Sequence, residues 1–163
     1  ILDLRDGWGG HFRQEFVDLF DATTPQRMVT IFKGRDFISI DGFVWRKPVV
    51  LLVNEGTRSA KEMFAYAMQK YRHGILVGAR TAGSVRSSRN FVLCDRSLLI
   101  VAVSQVLLDG EEIEGRGVAP DLIVVSPGPY SAGADPQLER AISLLADPRF
   151  DGSKASLDAL VGR

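Results

Sequence analysis

The sequence predicts one α/β domain built on a buried sheet, and two patterns carry that reading. Short apolar runs alternate with stretches whose apolar residues recur at helical spacing, which is how strands and their covering helices follow one another along an α/β chain. The run Val49-Val50-Leu51-Leu52-Val53 is unbroken between Pro48 and Asn54, and a strand apolar on both sides needs cover on both faces. With 163 residues, 45% of them hydrophobic, the chain can fill one core and is short for two.

The elements follow in order. Ile1-Leu2-Asp3-Leu4 is a strand with no initiator methionine before it, so residue 1 is expected to be an interior position of a longer, N-terminally truncated chain. Phe12, Phe16, Leu19 and Phe20 make a short helical stripe. After the central run, Ala60, Met63, Phe64, Ala67, Met68 and Tyr71 stand at offsets 0, 3, 4, 7, 8 and 11, the periodicity of an amphipathic helix. Ile75-Leu76-Val77 is a second buried strand. Residues 89–93 and 97–107 flank a polar turn and read as a hairpin. Leu122 to Val125 is the last strand, and the Pro-, Gly- and Ser-rich residues 126–134 form a loop. Asp135-Pro136 then opens a helix carrying Leu138, Ala141, Ile142 and Leu145, an N-cap followed by a first-turn proline. This helix is expected on the outside of the sheet, with a polar tail and a short amphipathic end after Pro148.

Composition excludes several classes of partner. The net charge of zero and pI near 6.9 create no basic field to gather nucleic acid or an anionic membrane surface. No apolar stretch approaches the ~18 residues of a membrane span. Cys94 is the single cysteine, so neither an internal disulfide nor a cysteine metal site can form; it is expected to be a small buried hydrophobe.

Two stretches could carry chemistry. In Val53-Asn54-Glu55-Gly56-Thr57-Arg58-Ser59-Ala60-Lys61-Glu62, a buried strand turns through a glycine into a helix, with Ser59 at its mouth. A hydroxyl there stands near unpaired N–H groups and the positive end of the helix dipole, which suits a nucleophile that creates an oxyanion. The same residues also fit a capping box, Ser59 to Glu62, which needs no chemistry; on that reading Ser59→Ala costs about 0.5–2 kcal/mol. In Leu2-Asp3-Leu4-Arg5-Asp6-Gly7-Trp8-Gly9-Gly10, adjacent glycines let backbone approach a ligand closely and aim an N–H at it.

Four ordered blocks resemble the C-terminal-processing (tail-specific) serine peptidase family. They are Leu-Asp-Leu-Arg-x-x-x-Gly-Gly at 2–10, Val-Asn-Glu-Gly…Ser-Ala-x-Glu at 53–62, Val-Gly-x-Arg-Thr-x-Gly at 77–83 and Gly-Glu-x-Ile-Glu-Gly-x-Gly-Val-x-Pro-Asp at 110–121. The resemblance implies a crotonase/Clp-protease-like spiral of β-β-α units, with residues 1–125 as the peptidase core and 126–163 as a loop and helical extension of the same domain. It implies Ser59 as nucleophile, with Thr57 and Lys61 replacing the family's flanking serines, and an oxyanion hole from Gly10 or Gly9 beside it and the Ala60 amide.

The chain departs from the bacterial members at Ser84, which stands where their lysine base would be. A serine hydroxyl needs a base within reach. Lys61 lies two residues from Ser59, positions that do not face each other on a helix. Lys70 lies near the far end of the helix, and His73 follows it as a surface or C-capping residue. His11, directly after Gly10, is the one candidate beside the site. The Thr81-Ala82-Gly83 variant is similar to a tricorn-like branch that uses a histidine upstream of the first strand, hence outside this chain, with Glu114 as the acidic member of the network. Asp121 reads as structural. The resemblance implies cleavage of peptides or unfolded proteins, no metal or organic cofactor, an upstream domain in the same polypeptide and an extracytoplasmic setting. A ligand-binding module or pseudoenzyme of the same fold is the rival reading.

Overall fold

A computed structural model describes residues 1–21, 27–30, 38–41, 44–126 and 133–162, with the backbone alone for 27–30 and 38–41. Strand β1 (Leu2–Asp3) leads through α1 (Gln14–Asp18) and the hairpin β2 (Arg27–Thr30) and β3 (Ile38–Asp41) to β4 (Val50–Val53). Helix α2 (Ala60–Lys70) returns the chain to β5 (Ile75–Gly78). A second hairpin, β6 (Ser88–Val92) and β7 (Leu98–Ala102), precedes β8 (Leu122–Ile123), and α3 (Pro136–Leu145) and α4 (Lys154–Val161) follow. The main sheet has the order β1-β4-β5-β8, parallel throughout, with Leu2 beside Leu51, Leu51 beside Leu76 and Val77 beside Leu122. Among the described residues no helix is long and apolar enough to cross a membrane.

Strand alternation explains why the central run is apolar without a break. Val49, Leu51 and Val53 join a core with Ala65, Met68, Leu76, Ile113 and Val118. Val50 and Leu52 point the other way, to Ile75, Val77, Ala141, Leu144, Phe150 and Leu157. Thus α2 and the 113–118 loop cover one face while α3 and α4 cover the other. Gly78 ends β5 with φ +135°, and a Cβ there would stand 2.0 Å from the Val53 carbonyl oxygen, so close approach of the strands requires glycine.

Arg5 of the first block anchors α3. Its guanidinium donates to Asp135 Oδ1 and Oδ2, each at 2.8 Å, to Gln137 Oε1 at 3.1 Å and to Asp3 Oδ2 at 2.7 Å. Asp135 also accepts the Leu138 N–H at 3.0 Å as the N-cap. Hydrogen bonding from Arg5, then from the Leu138 amide, holds the Asp135 carboxyl below its ordinary pKa. A depressed carboxylate stabilises the fold above its unfolded pKa, and that stability is lost as pH falls through the folded value. Asp135→Ala is therefore expected to cost about 1 kcal/mol near neutrality, a penalty that fades as pH falls below the ordinary carboxylate value of 3.8. Urea melts of both proteins across pH check this.

Several expectations need correction. The helix near residue 16 is short: Arg13 is extended and Leu19 already caps it, so Val17 is buried while Phe16 is 55% exposed. On α2, Glu62 and Ala65 are buried whereas Tyr71 is exposed, and on α3 Leu144 is buried whereas Ile142 is exposed. Strand β7 ends at Ala102 rather than continuing to 107, and β8 at Ile123. Cys94 is exposed, not buried, because the tip of the β6–β7 hairpin projects away from both cores.

Candidate active site

Two loops at the carboxyl ends of β1 and β4 are tied together by short polar side chains. Asn54 Oδ1 accepts the Asp6 and Gly56 N–H groups, each at 3.0 Å, and its Nδ2 donates to Asp6 Oδ1 at 3.1 Å. Buried Thr57 accepts the Asn54 N–H and donates its hydroxyl to the Leu4 carbonyl, both at 3.0 Å. The Arg58 N–H donates to the Gly7 carbonyl at 3.1 Å. Thr57 thus fastens the Ser59 loop to the Gly9-Gly10 loop.

Ser59 occupies a conformation that non-glycine residues rarely adopt, φ 55° and ψ −125°, where strain is characteristic of functional positions. A helix cap is ordinarily extended and accepts an N–H through its side chain. Here the Glu62 N–H donates to the Ser59 carbonyl oxygen at 2.9 Å and also faces the Ser59 side chain in the capping-box arrangement, without a full side-chain cap hydrogen bond. The glutamate half of the box does form, Glu62 Oε2 accepting the Ser59 N–H at 3.2 Å. The capping box expected from the sequence is present, and the elbow at φ 55° sets the position of the hydroxyl within it.

Gly9 lies directly against that hydroxyl. A Cβ on Gly9 would stand 2.6 Å from Ser59 Cβ and 3.2 Å from Oγ, and the residue has φ +92°. The N–H groups of Gly9, Gly10 and Ala60 donate to no described residue. Beside them opens a groove of about 530 Å³, lined by Leu2, Leu4, Phe12, Phe16, Phe20 and Phe64 together with His11, Arg13 and Lys61. A separate cavity of about 450 Å³, bordered by Arg5, Asn54, Gly78 and Gln137, is not lined by Ser59 or the two glycines.

The third loop arrives through Ser84, whose carbonyl accepts the Ser59 N–H at 2.9 Å. Glu114 holds the next residues: its Oε2 accepts the Val85 N–H at 2.8 Å and the Arg86 N–H at 3.1 Å. The loops of Gly9-Gly10, Ser84 and Glu114 therefore converge near Ser59, though Glu114 holds the two residues after Ser84 rather than Ser59 itself. Asp121 is structural, accepting the Leu76 N–H at 2.7 Å and Gln69 Nε2 at 2.9 Å.

Neither Lys61 nor Lys70 makes a hydrogen bond to Ser59. The Lys61 stem lies over Gly7, and Lys70 donates to Tyr66 Oη at 2.9 Å and pairs with Asp109 at 3.4 Å. His73 is half-buried beyond the far end of α2, about 20 Å along the helix from Ser59 at ~1.5 Å per residue, and burial keeps its imidazole pKa below the ordinary value. His11 is exposed in the groove beside Gly10.

Residues 1–124 match the Peptidase family S41 model. The chain belongs to peptidase family S41. It is 30% identical over 155 residues to the carboxyl-terminal-processing protease of Synechocystis sp., covering 89% of this chain and 36% of that protein. The photosystem II D1 C-terminal processing protease is 30% identical, with a TM-score of 0.55 over 95% of this chain and 39% of that one. The tricorn protease, at 21% identity and a TM-score of 0.63 over 98% of this chain and 14% of that one, shares the fold. The chain spans about a third of the length of the curated relatives it matches. The α/β class and the peptidase fold expected from the sequence are those observed.

Two residues of this S41 core escaped the sequence reading as site residues. Glu62 is fully buried, and its carboxylate accepts Thr81 Oγ1 at 2.5 Å, the Gly83 N–H at 2.6 Å and the Ser84 N–H at 2.7 Å besides that of Ser59. Thr81 Oγ1 in turn accepts the Val118 N–H at 2.8 Å. The signal available was a charged residue directly after the turn; only the loop folded over that side of α2 shows that it is buried.

Proposed function

We propose that this chain is the catalytic core of a serine endopeptidase acting on peptides and unfolded proteins. The observation that carries the reading is a strained serine at a strand-to-helix elbow, flanked by amides that donate to no described residue. Ser59 Oγ attacks the scissile carbonyl and gives its proton to a base. The Ala60 and Gly10 amides, with Gly9 setting the approach, hold the oxyanion. The amine leaves with that proton, and water hydrolyses the acyl-enzyme. Because Ser59 directs its own N–H inward to Ser84 and Glu62, the following amide is the one left for the oxyanion.

The base in this reading is a histidine of the full-length protein outside residues 1–163, oriented by Glu114, with His11 as the in-chain alternative. An upstream domain and an extracytoplasmic setting belong to the same proposal and rest on the family resemblance. Fluorophosphonate should label full-length protein at Ser59, while the isolated 163-residue chain should turn over casein little or not at all. Turnover by the isolated chain that Ser59→Ala abolishes would transfer the role to His11. A full-length protein that resists labelling would instead support a binding module.

A further inference from the structure

We propose that Glu62 is a positioning residue for the nucleophile, an inference that rests on the peptidase reading of Ser59. A carboxylate taken wholly out of water is strongly unfavourable unless hydrogen bonds replace its solvation. Glu62 is 0% exposed and has four donors on its two oxygens: Thr81 Oγ1 and the Gly83 N–H on Oε1, the Ser84 and Ser59 N–H groups on Oε2. A helix cap uses one such bond. The other three reach across to a loop about twenty residues away in sequence, and they do so at 2.5, 2.6 and 2.7 Å, the range of charge-assisted hydrogen bonds.

The consequence lies in the Ser59 peptide unit. Its N–H is shared between Glu62 Oε2 at 3.2 Å and the Ser84 carbonyl at 2.9 Å, and Ser84 is itself held by Glu62. The carboxylate thus grips Ser59 directly and through the loop that faces it, and so maintains φ 55° against relaxation to an ordinary helix start. That geometry keeps Oγ beside Gly9, next to an Ala60 N–H that donates to no described residue. Thr81 completes the clamp, donating to Glu62 and accepting from Val118. Glu62 touches no substrate; it acts through Ser59 and Ser84.

In Glu62→Gln the amide NH₂ replaces one oxygen and confronts donors, either the Ser84 and Ser59 N–H groups or the Thr81 hydroxyl and the Gly83 N–H. In Thr81→Val the carboxylate survives but loses one donor, and the Val118 N–H loses its acceptor. The experiment measures kcat and KM on a fluorogenic peptide, the fluorophosphonate labelling rate and circular dichroism for the full-length protein and both variants. Expected is a fall in kcat of about 10²-fold with KM within about threefold and unchanged dichroism, the pattern of a misplaced nucleophile. Thr81→Ser, which keeps the hydroxyl, should restore what Thr81→Val loses.

Folded variants with kcat within about threefold of wild type, or with the loss confined to KM, would overturn the inference. Should Glu62→Gln not fold, Thr81→Val decides the matter by the same split. Wild-type protein unlabelled at Ser59 would remove the peptidase reading itself. Wild type labelled, with Glu62→Gln labelled equally fast, would remove the positioning role alone.

Discussion

Ser59→Ala in the full-length protein should abolish fluorophosphonate labelling and lower turnover by about 10⁴–10⁶-fold, the loss seen when the nucleophile of a serine hydrolase is deleted. Stability should respond quite differently. The Glu62 N–H that the Ser59 side chain faces in the capping box also has the Ser59 carbonyl oxygen as acceptor at 2.9 Å, so removing Oγ leaves no helix N–H without a partner, and alanine should lie within about 0.5 kcal/mol of wild type. The backbone at φ 55° remains strained in both proteins. Ser59→Gly removes the Cβ that causes that strain and should melt above Ser59→Ala by about 1 kcal/mol. A drop of about 2 kcal/mol for alanine would make the hydroxyl the principal cap of the helix. Retained turnover would remove it from the chemistry.

Gly9→Ala should be the second most damaging change at the site. The new Cβ would stand 2.6 Å from Ser59 Cβ, inside van der Waals contact, on a backbone whose φ of +92° already disfavours alanine. Either Ser59 swings away or the glycine loop retreats, and each outcome separates the nucleophile from an oxyanion donor. We expect kcat/KM to fall by about 10²–10³-fold, comparable to losing one donor. Gly10→Ala is the informative contrast. Its Cβ meets nothing within 4 Å, though its φ of +133° is equally unsuited to a side chain. If Gly10→Ala is as active as wild type while Gly9→Ala is inactive, closeness to Ser59 is the operative property. If Gly9→Ala is fully active, the two loops do not close on Ser59 in solution.

Buried strands and a strongly periodic helix were legible because their signals are local. Val50–Val53 could hardly be other than a strand apolar on both faces, and Ala60 to Met68 repeats as a helix must. The Asp135-Pro136 start of α3 was legible for the same reason, since one residue pair states both the cap and the first turn. Which serine stands at the elbow was legible too, because the strand, the turn and the helix that position it are contiguous. The sequence could not show how far weak elements extend: the Phe12–Phe20 stripe has only one short helical stretch, and β7 stops at Ala102.

The sequence alone determined the strands of the main sheet, the long helices, the Ser59 elbow and the family blocks, because each is written within about a dozen consecutive residues. Tertiary structure decided the rest. Ser59 and Glu62 satisfy the pattern of a capping box equally well in a free helix; the loop bearing Thr81, Gly83 and Ser84 converts the glutamate into a buried four-donor acceptor. Cys94 is apolar enough for a core, yet its hairpin projects from both cores and leaves it exposed. In each case the deciding contact joins residues far apart in sequence, and burial or hydrogen bonding across such a distance is a property of packing that local periodicity does not encode.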